Sequence, residues 1–559
     1  MALEPATDND NDTDTRTLTT TTIPPPNPHP TRLHGRAFYT SLGAPKHILA
    51  PMVEHSHLAW RLLVSRHSPK PSMPPSPRPT DPSASPTDPP ILSYTPMLHS
   101  RLYHSTPSYP HQNFPAAHNT LDGHPQHDRP LLAQFCANDP AAFLASAELI
   151  SPYVDGVDLN LGCPQGIARK GRYGSFLQDE WPLINSLIGK LHSSRSLSVP
   201  VTAKIRIFPD PKKTLAYAKM VLSSGASILA VHGRTREQKG HNTGLADWEA
   251  IRHLRENLPP DTVIFANGNI LYPGDAQRCL AATGADAVLS AEGCLYNPTG
   301  IFLSPDHHPP EHLFPRMDII AREYLTILRT KILPYTDKGD PVSVKAPVVE
   351  PNLTNVKSHL FKLLHALLPR FPDIRARLAT SRPVHPRNDA GVDPLRDFEE
   401  VVRDVEKVVR DELERNPEEK VVADAAPVQG SVIDGGTGLV KVGEWNCNPG
   451  GWVGPKRRRG RAKEEKETGD EGGEEEAEEK EIFGWDIPFY RCQPNFRPLP
   501  EEAVKRGAMS ASALGKGPSG GAPAADMEME MAIIERVGRT RKDPQKIDGA
   551  VVKRAKVTE

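Results

Sequence analysis

The chain has 559 residues, with 67 Lys and Arg against 69 Asp and Glu and a formal net charge of −2. That length holds two or three domains, and so even a balance excludes a partner chosen by whole-chain electrostatics alone. Six widely spaced cysteines with no C-x-x-C pair exclude a zinc ribbon or a disulfide framework, and no stretch is long and apolar enough to span a bilayer.

Residues 1–40 begin rich in Asp, Asn and Thr, carry no apolar signal core, and are expected to form a disordered arm. Residues 47–53 read as a short buried strand and 58–66 as a helix. Residues 68–90 are dense in Pro and Ser, which suits a floppy surface insertion. Order resumes at 91–97, and a regular alternation follows. Strand-like runs fall at 131–135, 157–161, 201–207, 228–232, 263–267 and 287–290. Helical stretches lie between them at 141–150, 176–191, 214–222, 248–258 and 275–282. With the first two runs that makes eight β units. Their spacing predicts a closed α/β fold, a (β/α)₈ TIM barrel over 45–305. An open doubly wound sheet is disfavoured, because no Gly-x-Gly-x-x-Gly follows the first strand.

Beyond the barrel, 317–328 and 360–368 have helical spacing, and Asp393-Pro394 suits the cap of a third helix carrying Phe398, Val401, Val405 and Val409. These predict a small helical domain over 315–418, or helices packed on the barrel. Residues 420–559 are low in complexity and highly charged. They include a basic block at 456–463, suited to a solvated linker, a nuclear-import signal or an RNA contact, and an aromatic island at 485–500.

In such a barrel, chemistry sits at the C-terminal ends of the strands. There the sequence places Pro51-Met52-Val53, Gln134, Asn160 and Cys163, Lys204 and Arg206, His232 through Arg236, Asn267-Gly268-Asn269, and Ala291-Glu292-Gly293. A lone cysteine is most often a small buried residue. Cys163, however, ends a strand beside the basic run Arg169-Lys170-Gly171-Arg172, where a thiol can exchange a proton near an anionic substrate. Small residues after the last two strands suit a phosphate, and a buried Lys204 needs an electron-rich partner. Gln134, Lys204 and His232 could ring a flat heteroaromatic group. A phosphate plus such a ring edge suggests flavin mononucleotide (FMN). His55 and His57 have no evident partner and are expected to be structural or surface residues.

These strings, together with Ala50-Pro51-Met52-Val53, Tyr94-Thr95-Pro96-Met97, Asp158-Leu159-Asn160-Leu161-Gly162-Cys163-Pro164-Gln165 and Val231-His232-Gly233-Arg234-Thr235-Arg236, resemble the tRNA-dihydrouridine synthases. The run from Ile167 to Gln178, with Ser290-Ala291-Glu292-Gly293, is similar to the eukaryotic branch acting on uridines 16 and 17. The segment Pro488 to Pro494 also resembles that branch. The resemblance implies an FMN-bearing barrel and a helical domain that helps hold tRNA. It assigns Pro51, Met52, Val53, Gln134, Lys204, His232, Asn267, Gly268, Asn269, Ala291 and Glu292 to FMN. It makes Cys163 the catalytic acid and NADPH or NADH the electron source. Arg169, Lys170, Arg172, Arg234 and Arg236 are expected to hold RNA phosphates or a flipped base. Many family members carry Gly-Arg where this chain has Ala291-Glu292. A carboxylate cannot donate to phosphate, so contact from there is expected through backbone N–H. A monomer in the cytoplasm or nucleus, with no membrane partner and no metal, completes the expectation. The competing readings are a flavin enzyme acting on a free pyrimidine and a non-catalytic RNA-binding scaffold.

Overall fold

The computed structural model describes residues 32–66, 90–116, 120–240, 243–333, 353–384, 392–415 and 487–495. The expected insertion, nearly all of the charged tail with its basic block, and most of the arm lie outside the described residues. Among the described residues the strands are β1 (His47–Leu49), β2 (Leu92–Tyr94), β3 (Leu98–His99), β4 (Leu131–Cys136), β5 (Gly156–Leu161), β6 (Val201–Arg206), β7 (Leu229–His232), β8 (Ile264–Asn267) and β9 (Ala287–Ser290). All pair in parallel in the order β2-β1-β9-β8-β7-β6-β5-β4-β3, and β2 also pairs with β4, which closes the sheet. Thr95-Pro96-Met97 interrupts one stave, since Pro96 has no N–H to give the ladder. β2 and β3 are its two halves, so the closed sheet is the expected eight-stave TIM barrel.

The strands are apolar on both faces because both are covered. Every residue of β4 and β5 is buried. Inside the barrel, Ile48, Leu92, Leu132, Ala230, Phe265 and Leu289 form one cluster, which Phe38 and Tyr39 join. Those two aromatic residues belong to a helix, Gly35–Ser41, so the expectation of disorder up to residue 40 is corrected at its end. Burying the two rings outweighs the local polarity of the arm. Outside the barrel, Leu159, Ile184, Leu187, Tyr217, Val221 and Ile251 pack the strands against the helices.

Other differences have local causes. The expected helix at 176–191 is a 3₁₀ turn, Gly174–Leu177, then a helix Trp181–Ser193 begun by Pro182 in its first turn. The helix expected at 360–368 runs Val356–Leu363 instead, beginning after Asn355. The basic run after Cys163 is a short helix, Gly166–Gly171, ended by Arg172 in the left-handed region at φ 53°.

Past the barrel come helices Met317–Ile327, Val356–Leu363, Pro372–Thr380 and Arg396–Arg415. The last buries Phe398, Val401, Val402, Val405 and Val409 along one face. Arg322 pairs with Glu399 and Glu406, tying that helix to Met317–Ile327, and Arg329 just beyond pairs with Glu399 and Asp393. Residues 487–495, within the expected island, lie against the same region. The Met317 N–H donates to the Tyr490 carbonyl at 2.9 Å, the Cys492 N–H to the Pro315 carbonyl at 2.8 Å, and the Asn495 amide to the Tyr296 hydroxyl at 2.8 Å.

His55 and His57 acquire partners that no local pattern reveals. His55 meets the Ser358 hydroxyl at 2.8 Å and the Asn355 amide lies 3.2 Å from His57. His359, 1% exposed, stacks on Trp60 at 4.3 Å. It donates to the His55 carbonyl at 3.1 Å and accepts from the Tyr324 hydroxyl at 2.6 Å. Burial holds His359 well below the ordinary 6.5 and pushes His55 down to about 4. Beneath this seam Arg61, 1% exposed, makes a bidentate pair with Asp128 at 2.8 and 2.6 Å and also reaches Asp122 at 3.0 Å.

Two outcomes follow for stability. Arg61→Met leaves buried carboxylates unpaired and should cost about 3–5 kcal/mol in denaturant unfolding. A folded histidine pKa below the unfolded one gives stability that is whole above about pH 6.5 and is lost as pH falls from there toward 4. His359 alone contributes a loss of about 1.4 kcal/mol per pH unit. Unfolding midpoints at about pH 7.5 and about pH 5 measure this, and equal midpoints would contradict it.

Candidate active site

At the C-terminal ends of the strands lies a cavity of about 1060 Å³, lined from every side of the barrel. Its floor is built from polar residues that the strands aim inward. On β4 and β5, Gln134 and Asn160 are 1% and 8% exposed. The Asn160 amide donates to the Gln134 side-chain oxygen at 2.7 Å and to the Met97 sulfur at 3.2 Å. Its own oxygen accepts the backbone N–H groups of Gly162 at 3.0 Å and Cys163 at 2.9 Å. That double acceptor bends the chain off β5 and presents Cys163, half-buried, at the cavity wall.

The far side of the Cys163 turn is held as firmly. Its carbonyl accepts from the Ser175 N–H at 3.0 Å and the Ser175 hydroxyl at 2.9 Å. Gly174, at φ +66°, passes so near that a Cβ there would sit 2.7 Å from the Cys163 oxygen. Only glycine combines that φ with that approach.

On the stave next to β5, Lys204 of β6 donates to the Asn267 side-chain oxygen at 2.8 Å, and Asn267 donates to the Leu289 carbonyl at 3.0 Å. Burial, aided by the Arg206 charge, pushes the Lys204 ammonium down to about 8. Arg206 spans the Gly162 carbonyl at 2.8 Å and those of Thr235 and Gln238 at 2.7 and 3.0 Å. His232 ends β7. Arg234 lies 3.1 Å from its Nε2, and a guanidinium can only donate, so that nitrogen is the acceptor and the proton sits on Nδ1. Burial, with Arg206 and Lys204 nearby, holds His232 far below 6.5, hence neutral. Arg234 also donates to the Gly244 carbonyl at 2.9 Å and to Asn269 at 2.8 Å. Asn269 is itself at φ 61°.

Of the residues singled out from sequence, Pro51, Met52, Val53, Gln134, Cys163, Lys204, His232, Asn267, Gly268, Asn269, Ala291 and Glu292 all line this cavity. Among the basic residues Lys170 and Arg234 line it too. Arg169 and Arg172 are exposed on the helix beyond Cys163, outside the lining. Arg236 turns away to Asp179 at 3.1 Å and the Ser175 carbonyl at 3.4 Å, bracing the turn that holds Cys163. Sequence reasoning missed Lys239, which donates to the Pro164 carbonyl at 3.1 Å, and Lys362, which reaches the lining from the helix Val356–Leu363. Lysine at such positions carries no local signal, since only the fold brings it to the mouth.

The arrangement sets a thiol, a cation, a neutral imidazole and several amides around one concavity, which suits proton delivery beside an electron-rich ring. Comparison with known proteins agrees. The family model described as "Dihydrouridine synthase (Dus)" matches residues 48–341. A tRNA-dihydrouridine(16/17) synthase of Schizosaccharomyces pombe, named with NAD(P)(+), is 51% identical over 348 residues, covering 62% of this chain and 76% of that protein. One from Saccharomyces cerevisiae is 49% identical over 349 residues, covering 62% and 72%. A (16/17) synthase-like protein of Rattus norvegicus is 41% identical over 349 residues, covering 62% and 66%. Barrel, cavity and relatives converge, and the chain belongs to the dihydrouridine synthase family.

Proposed function

We propose that this protein reduces uridine to 5,6-dihydrouridine in the D-loop of tRNA, at positions 16 and 17, using FMN and NAD(P)H. The observation that carries the proposal is the placement of Cys163 and Lys204 on neighbouring staves, lining one cavity at the strand ends. The relatives named above supply the positions and the nicotinamide.

The residues present fit a flavin mononucleotide. The cavity exceeds what one drug-sized ligand fills, leaving room for a second ring. Lys204 and His232 offer donors to a polar heterocycle beside Gln134, and the turns at Gly268-Asn269 and Ala291-Glu292 suit a phosphate. Glu292 opens the helix Glu292–Tyr296, so a phosphate there would meet backbone N–H groups rather than its carboxylate. When bound and reduced by NAD(P)H, the flavin supplies a hydride to C6 of the uracil.

Cys163 then gives its proton to C5, which balances the hydride and saturates the C5–C6 bond. An ordinary thiol, with a pKa of about 8.5, is protonated at neutral pH and can act this way. The Asn160 and Ser175 contacts keep the Cys163 backbone from moving while the proton transfers. Lys170, Lys239 and Lys362 at the mouth offer charge to the phosphates flanking an extruded base. A free pyrimidine carries no phosphate to meet those cations.

Cys163→Ala should yield a yellow, flavin-loaded protein whose reduction of tRNA uridine falls at least about 100-fold. Dihydrouridine is counted in tRNA after one turnover with NADPH. Full activity, or wild-type activity on free uracil with none on tRNA, would overturn the reading. Gly174→Ala should displace Cys163 and lower the same rate about tenfold or more, with flavin retained.

A further inference from the structure

We infer that Asp158 is a positioning residue for Cys163, acting as the source of a one-way hydrogen-bond relay through Gln134 and Asn160. Asp158 lies on β5 inside the barrel, fully buried, two residues before Asn160 and outside the cavity lining. The inference rests on the function proposed above, in which Cys163 is the acid.

The direction of the relay is determined independently from its two ends. At one end Asp158 accepts from the Thr202 hydroxyl at 2.7 Å and from the Gln134 amide nitrogen at 2.8 Å. A carboxylate has no proton to give, so Gln134 must turn its NH₂ inward and its oxygen toward Asn160. At the other end, two backbone N–H groups can only donate, so Asn160 must turn its oxygen to Gly162 and Cys163 and its NH₂ toward Gln134. The two requirements meet at the 2.7 Å bond between Asn160 and Gln134. Every amide in the chain has one orientation, and the orientation that serves Cys163 is the one Asp158 imposes.

The surroundings keep Asp158 an acceptor. Lys204 lies near enough to favour its charge, while burial raises its carboxyl to about 6, still below neutrality. An apolar residue would be the ordinary filling at this depth of a barrel. A buried carboxylate outside the cavity lining is better accounted for by what it orients.

Asp158→Leu keeps the approximate shape and removes both acceptors. The Gln134 NH₂ then loses its acceptor at Asp158, so nothing fixes the Gln134 oxygen toward Asn160, and a reversed Gln134 sets a donor against the Asn160 NH₂. In full-length, flavin-loaded protein the single-turnover reduction of tRNA uridine should fall about tenfold or more. Flavin content and KM for tRNA should stay within about twofold. The rate at which iodoacetamide labels Cys163, read by peptide mass, should change several-fold. The double variant Asp158→Leu with Gln134→Glu presents only oxygens to the Asn160 NH₂, and its labelling rate should return to within about twofold of wild type. Wild-type reduction and labelling in the single variant, or labelling in the double variant no nearer to wild type, would overturn the relay. If Asp158→Leu does not fold, Asn160→Asp breaks the relay from the Cys163 end and carries the same expectation and the same refutation. If the wild-type protein fails to reduce tRNA, the proposed function falls, while the labelling arms still decide the relay.

Discussion

One side-chain oxygen, that of Asn160, takes two consecutive backbone N–H groups and so converts the end of a strand into a site. A strand that ran on would send Cys163 into the ladder or the solvent. The barrel exists, in this sense, to hold Asn160 still. β5 is buried along its whole length, its neighbours β4 and β6 pair with it in register, and Gln134 meets the asparagine from the next stave. Precision at the thiol is therefore inherited from the buried, paired strands of the barrel.

Electrostatics at the mouth follow from the same economy of contacts. Arg206 and Arg234 spend donors on carbonyl groups and amides of the loops, which locks those loops together. Lys204, by contrast, has one short bond to Asn267 and a pKa pushed down by burial and by the neighbouring guanidinium. The field at the centre of the cup is positive without any cation being left fully desolvated and unpartnered. His232 stays neutral within it, and its tautomer is dictated by Arg234.

Much of this was legible in the sequence, because barrels write their plan locally. Apolar runs at even spacing located every stave, and the polar residues that end them located the cavity. What escaped was whatever depends on distant partners. Phe38 and Tyr39 look like part of a polar arm until the barrel floor is there to cover them. His55 and His57 carry no pattern, since Ser358 and Asn355 stand about 300 positions away. Asp158 reads as one more letter of a motif, and Arg236 reads as a cation for RNA, though it braces the turn behind Cys163. Short helices such as Gly166–Gly171 fall below the length at which periodicity can be seen.

The segment 487–495 has an implication for how the molecule is made. Its Asn495 holds the hydroxyl of Tyr296, a wall residue of the catalytic cup, and its Tyr490 and Cys492 backbones stitch the chain leading into the Met317–Ile327 helix. A ribosome delivers the staves, the thiol and the helices long before it delivers that asparagine. The nascent barrel can close and take shape early, yet one side of its cup waits for a late arrival. Assembly is thus ordered in time, with the wall finished after the floor.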